Sequence, residues 1–326
     1  MMNGGLALSK TDSSSARPLG QPEVAERSWL AELHLRYRPD RSGLKTVADL
    51  LSVSGPLKVQ RGFYPEIRSA DCRGGTSVCH SYLLHPPGGV VSGDRLAIDV
   101  SVETGARALL TTTSATRIYR VDERRVPQRQ KLRFEVAAEG SLEWLPLENI
   151  FFTGSRAEFD TDIILHHRAG LFYREVTCLG RPASGVHFHE SPDSALRQNL
   201  RLLTADGRPI HEERIRLHAG NMRNRAQMGD FSVTGSLLVH GFADEHLDAF
   251  SGAVRASLLD DLRDDISAAF PQSSGCLALT TKPGLLIGRY LGHESGEATA
   301  FFDLLWRRLR PAVLGRVATA PRIWAT

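Results

Sequence analysis

The side chains able to do chemistry in this 326-residue chain are few and widely spaced. Three carboxylates stand out: Asp94, Glu148 and Glu175. Asp94 ends the turn Gly88-Gly89-Val90-Val91-Ser92-Gly93-Asp94, between predicted strands at 82–85 and 95–102. It either bonds nearby amides as a turn residue or presents a carboxylate at a sheet edge. Glu148 sits between Leu147 and the apolar run Ile150–Phe152, and Glu175 lies within a predicted strand at 171–178. A carboxylate in such a pattern either faces solvent or lines an internal passage, where a hard oxygen can hand on a divalent ion. His166 and His167 adjoin on a predicted strand, so their rings point to opposite faces. His187 and His189 stand two apart and can share an ion. Cys79-His80 adjoin, with Cys72 seven residues earlier. None of these has the spacing of a four-ligand zinc site.

The familiar catalytic signatures are missing. There is no GxxxxGK[ST], so no phosphate-cradling loop, and the glycines at 88, 89 and 93 have the wrong spacing for a dinucleotide fingerprint. No GxSxG elbow occurs. His211-Glu212-Glu213-Arg214-Ile215 ends in Ile where a zinc-protease helix needs His.

The elements that must position these residues are mostly strands. Leu33, Leu35 and Tyr37 alternate with His34, Arg36 and Arg38. Leu96, Ile98, Val100 and Val102 alternate with Arg95, Ala97, Asp99 and Ser101. Leu132, Phe134 and Val136 do the same. Period two with one apolar face marks a half-buried strand. Glycines at 74–75, 105, 140, 154, 170 and 180 break the runs, and 205–209 reads as a hairpin connection. Strands this frequent, with no helices between them, predict a large β architecture rather than βαβ units. Near the C-terminus the period changes. Val254, Leu258, Leu259, Leu262, Ile266 and Ala269 recur at helical spacing, as do Ala298, Phe301, Phe302, Leu305, Trp306 and Leu309. The second helix is predicted over 295–310, with Ser295 as N-cap, basic residues in its last turn and Pro311 ending it. Two strands, 276–281 and 285–290, lie between the helices.

Composition narrows the class. Hydrophobic residues make up 41% and charged residues 24%, the profile of a globular protein. No run approaches the roughly 18 apolar residues of a membrane span. The net charge is +3, and only five of 40 basic residues are Lys; they are scattered, without the aromatic interleaving of an RNA-binding module. Neither nucleic acid nor membrane is an expected partner. Residues 1–28, crowded with Ser, Pro and Gly, read as a disordered tail without the apolar core of a secretory signal, and 29–326 as a single domain. Four cysteines without a CxxC fit reduced thiols and a cytoplasmic protein.

Several motifs together resemble the urease accessory protein family UreD, also called UreH. They are Leu84 to Leu96 around the Gly-Gly turn, Leu110 to Arg120, Leu142 to Arg156, Leu179 to Gly185, and the C-terminal stretch from Leu309 to Thr326. Two departures appear: Leu147 where the family usually has Gln, and Ser92-Gly93-Asp94 for its Gly-Gly-Asp. The resemblance implies a mainly β, stacked-sheet, β-helix-like domain with two helices near the C-terminus. It implies no catalysis and no stably bound cofactor. It implies a scaffold that binds apo-urease and the UreF–UreG GTPase complex, with nickel in transit to the urease site. Asp94, Glu148 and Glu175 are then the candidates for a transient nickel path. Two other readings compete: a carbohydrate-active β-solenoid enzyme with paired carboxylates, and an inert structural β-domain. An enclosed passage, as against an open groove bearing two carboxylates, separates the first two.

Overall fold

A computed structural model describes residues 28–66, 76–241 and 252–325, with backbone alone over 252–256. Cys72 and most of the predicted N-terminal tail lie outside the described residues. The chain runs β1 (Leu30–Pro39), β2 (Thr46–Ser54), β3 (Lys58–Val59), β4 (Cys79–Leu84), β5 (Arg95–Val102), β6 (Arg107–Thr112), β7 (Thr116–Ile118), β8 (Gln128–Val136) and β9 (Ser141–Trp144). It continues through β10 (Asn149–Phe151), β11 (Arg156–Leu165), β12 (Gly170–Arg181), β13 (Val186–His187), β14 (Ala195–Thr204), β15 (Pro209–His218) and β16 (Val233–His240). Helix α1 (Gly252–Ala269), the hairpin β17 (Cys276–Lys282) and β18 (Leu285–Gly292), and helix α2 (Ser295–Leu314) follow.

The strands form two large sheets. One has the order β15-β14-β11-β8-β5-β1-β2; the other runs β17-β18-β16-β12-β9-β6-β4-β3, with β10 and β13 paired to β12 and β7 paired to β10. Parallel strands usually need a helical crossover. Here β1, β5, β8, β11 and β14 are parallel in the first sheet, and β4, β6, β9 and β12 in the second. Each pair of parallel neighbours is joined through a strand of the other sheet, as β5 to β8 through β6 and β8 to β11 through β9, so successive coils of chain stack as in a β-helix. The expected mainly β fold with two C-terminal helices is the one observed.

Period two explains the stacking. In register, Leu35, Val100, Phe134, Ile163 and Leu202 form one inward ladder across five parallel strands. All five are buried, and burying each such side chain contributes about 1.5–3 kcal/mol. The outward ladder is charged: Arg129, Lys131 and Arg133 of β8 stand opposite Glu158, Asp160 and Asp162 of β11. The basic face of β8 is thus matched by an acidic strand beside it. These exposed pairs, such as Arg129–Glu158 at 2.9 Å, contribute under about 1 kcal/mol each.

Helix α2 lies on the second sheet and buries Ala298, Phe301, Phe302, Leu305, Trp306 and Leu309, the predicted stripe. Two glycines let it approach. A Cβ on Gly288 would stand 2.6 Å from Leu305 Cδ1, and one on Gly235 would stand 2.7 Å from Phe302 Cε2. The predicted ends need correction. Glu294, not Ser295, is the N-cap, and the helix runs through Pro311 to Leu314. Gly315, at φ 66°, takes the left-handed cap and donates its amide to the Pro311 carbonyl. Pro311 stands in the last turn, where it removes one amide donor from the helix. In α1 the predicted stripe holds for Leu262, which is buried, and for Leu258, Leu259 and Ile266, packed beside it; Val254's side chain lies outside the described residues. His166 and His167 occupy the turn after β11 rather than a strand.

Candidate functional site: interior cavities around Glu175

Between the two sheets lies a narrow cavity of about 60 Å³. Apolar side chains from several coils line it, among them Leu83, Ile98, Leu132 and Trp144. Its polar lining comes from several strands and loops, with His85, Gln130 and Asn149 beside Tyr173, Arg174 and Glu175 of β12. A second, smaller cavity of about 30 Å³ lies beyond, its lining including Glu175, Gln198, Glu213, Ser236 and Arg289. Glu175 lines both. Asn199 and Glu213 in turn line a third space on the outer side, with Asp160 and Asp162.

Glu175 is where its strand predicts, but it points inward. Gln198 Nε2 donates to its Oε1 at 2.7 Å and the Tyr173 hydroxyl to its Oε2 at 3.3 Å. Burial, reinforced by the charge of Glu213, pushes its carboxyl up to about 7. Glu213 is held low despite its burial, by His211 (2.7 Å) and by a two-pronged contact with Arg289 (2.6 and 2.9 Å). Lys282 Nζ reaches the other nitrogen of His211 at 3.0 Å. The two carboxylates therefore differ: Glu213 stays ionised, whereas Glu175 gains or loses a proton near neutrality.

This has a measurable consequence for stability. Between about 4.5 and 7 the folded chain keeps a proton on Glu175 that the unfolded chain releases. Stability from this group is complete below the unfolded value and falls as pH rises through the folded one. Glu175→Gln removes that loss. The variant's unfolding free energy, measured by denaturant titration, should gain on wild type by about 2–3 kcal/mol from pH 4 to pH 8. A difference that does not change with pH would show the carboxylate charged throughout.

Asp94 and Glu148 do not join Glu175. Asp94 is buried in its turn, accepting the amides of Trp29 and Val91 at 2.9 Å each. Its charge acts on His85, a wall residue of the first cavity whose ring is pushed down by burial. Glu148 lies half-buried in the loop before β10, and its charge acts on Arg174 and Cys178. Both stand behind the wall rather than on it.

Sequence reasoning missed the buried ions. Arg174 is almost fully buried on β12; it meets Asp303 of α2 at 2.8 Å and donates to the Pro146 carbonyl at 2.9 Å. The Trp324 ring lies 4.8 Å from its guanidinium. Arg310 of α2, predicted to serve the helix dipole, is instead buried. It pairs with Glu143 (2.8 Å) and Glu66 (2.7 Å), while Trp306 Nε1 donates to Glu143 at 2.6 Å and His80 meets Glu66 at 2.8 Å. Arg174 and Arg310 sit in plain strand and helix patterns; nothing local distinguishes them from solvated arginines. Among the described residues no three of His, Cys, Asp and Glu converge to hold a metal ion. No helix among them is long and apolar enough to cross a membrane.

The chain is similar to known proteins along most of its length. The family model of the UreD urease accessory protein matches residues 30–325. The urease accessory protein UreD of Pseudomonas fluorescens is 40% identical over 301 residues, 92% of this chain and 96% of that protein. UreD of Marinobacter nauticus is 39% identical over 92% of this chain and 94% of its own. UreD of Aliivibrio fischeri is 36% identical over 93% and 98%. With a family match across the whole described domain, and a β-helix of the kind the motifs implied, the chain belongs to the UreD urease accessory family, whose members are non-catalytic factors in urease maturation.

Proposed function

We propose that this protein binds apo-urease and the UreF–UreG complex and conducts nickel to the urease site through its interior. One observation carries the reading: Glu175 lines both interior cavities, and Glu213 with Asn199 continues the polar lining outward. Oxygen ligands suit a divalent ion in passage. Gln198 and Tyr173 each donate to one oxygen of Glu175, so the carboxyl is satisfied when no ion is passing. A conduit must also bind weakly, and the absence of a three-ligand cluster among the described residues is in keeping with that. Asp94 and Glu148 act one layer back, through His85 and Arg174. The interior position of Glu175 favours a passage over the open groove that a paired-carboxylate glycosidase needs. Nickel is cargo here, and the GTP belongs to UreG.

The partners are tested by co-expression. Tagged protein should retain UreF with UreG, and separately the urease subunits, through affinity and sizing columns. Glu175→Ala should retain them equally, because Glu175 faces the interior. Failure of the wild-type chain to retain either partner would overturn the scaffold reading; loss in the variant alone would make Glu175 structural.

A further inference from the structure

The outer face of the first sheet carries a charge gradient that its own ion pairs do not cancel. In register, Arg95, Arg129, Glu158, Arg197 and Arg216 form one outward row across β5, β8, β11, β14 and β15. That row sets four arginines against one carboxylate. The next row sets Lys131 and Arg214 against Asp160, and the third sets Arg133 and Arg201 against Asp99, Asp162 and Glu212. Positive charge is therefore concentrated at the end where β5, β8, β11 and β14 begin. Glu158 is shared by Arg129 (2.9 Å) and Arg197 (3.3 Å). Arg95 and Arg216 pair with no carboxylate among the described residues, and the Arg216 guanidinium donates only to the Gln198 and Ile215 carbonyls, at 3.4 and 2.9 Å.

Arg95 stands directly opposite Arg129, and Arg197 directly opposite Arg216. Like charges in facing cross-strand positions destabilise a sheet. All four point away from the core, so packing does not account for them. An anion lying over each pair removes the repulsion and gains charge-assisted hydrogen bonds. At the second pair there is room for one. In the adjoining row Ala195 stands between Arg156 and His218. Its small side chain leaves an open groove of about 230 Å³, lined by Arg156, Arg197, Arg216 and His218 together with Pro127. The centres of the two arginine pairs are three strand spacings apart, about 14 Å. In an extended chain, at about 3.4 Å per residue, that is the distance from one residue to the fourth after it, with both side chains on the same face.

We propose that this row is a docking surface for an extended, acidic segment of a partner protein, with carboxylates at positions i and i+4. One carboxylate sits over Arg95 and Arg129, the other over Arg197 and Arg216 at the groove. The planar fork of arginine matches a carboxylate. A helical segment does not fit, because its i and i+4 side chains are only about 6 Å apart. A nucleic acid fits poorly as well. Glu158, Asp160 and Asp162 would face its phosphates, and the outward positions of these three rows carry no aromatic ring on which a base could stack. The surface faces away from the interior cavities, so the proposal does not depend on nickel passing through them.

The test is fluorescence anisotropy of the full chain with a short labelled peptide of Thr and Ser that carries two Glu four positions apart. A peptide with Gln at both positions, a peptide with two adjacent Glu and a short single-stranded DNA are the comparisons. Wild type should bind the spaced peptide several-fold more tightly than the adjacent one, and lose that binding as salt rises from about 20 to about 200 mM. Arg216→Glu should weaken it about tenfold. The same change should raise the thermal midpoint by roughly a degree, because an ion pair with Arg197 replaces a repulsion. An arginine kept only for structure would lower the midpoint when reversed. Arg95→Gln/Arg216→Gln removes one arginine from each pair, breaks no ion pair, and should weaken binding as much. Arg201→Gln, in the third row, should leave binding within about twofold of wild type. Equal binding of the Gln peptide, unchanged binding in Arg216→Glu, a midpoint that falls with it, or tighter binding of the DNA would overturn the proposal.

Discussion

Arg310→Met is expected to cost about 3–5 kcal/mol of stability, because it leaves Glu143 and Glu66 buried without their shared cation. The guanidinium is fully buried, and its fork reaches two carboxylates and the Val317 carbonyl at once. The cluster also ties α2 to β9 through Glu143 and to the segment before β4 through Glu66. Arg310→Lys keeps the charge but loses the fork, so it should fall between Met and wild type. Arg201→Ala, which removes an exposed pair with Asp162, should cost under about 1 kcal/mol. Denaturant midpoints for the three variants check the order. A cost near that of Arg201→Ala for Arg310→Met would show that the interior ions are hydrated rather than mutually held.

Leu305→Ala should cost about 2–5 kcal/mol, the range for a buried Leu truncated in a close-packed core. The reciprocal change is informative. Gly288→Ala places a methyl 2.6 Å from Leu305 Cδ1, so alone it should overpack and cost about 1–3 kcal/mol. In the double variant the new methyl enters the space that Leu305 vacates. Its cost should therefore be smaller than the two single costs together, by about 1 kcal/mol or more. Strict additivity would mean that α2 does not rest on β18 at this point.

Much of the fold was legible before the structure, and the reason is periodicity. Residues 95–102 read as a strand because one face is apolar and the other is not, and β5 has those bounds. The ladder Leu35–Val100–Phe134–Ile163–Leu202 is the three-dimensional form of the same alternation. What alternation does not carry is which strands pair, and hence that the sheets are mostly parallel and coiled; that expectation came from the family resemblance. The end of α2 was misread because Pro is taken as a stop, whereas Gly315 is the residue whose left-handed conformation closes the helix.

The site was legible only in part. Glu175 stood out as a carboxylate in an apolar strand, yet its neighbour Arg174 points into the protein as well, to Pro146 and Asp303. Strict alternation breaks on β12, where both Arg174 and Tyr173 are buried. It breaks because the strand is covered on both faces, by the first sheet and by α2. Glu213, His211 and Arg289 could not be joined in advance. Glu213 and Arg289 are 76 residues apart, and β15 belongs to one sheet while β18 belongs to the other. Only the closure of the two sheets brings them to one cavity.

The central claim is that nickel reaches urease through this interior, past Glu175. It is tested most directly by the nickel content of urease matured with Glu175→Ala in place of the wild-type chain, with UreF and UreG present and complex formation verified on the same samples. The passage predicts urease that assembles with its accessory proteins but carries several-fold less nickel and proportionately less activity. Full nickel occupancy in an intact complex would contradict it, and would remove Glu175 from the route.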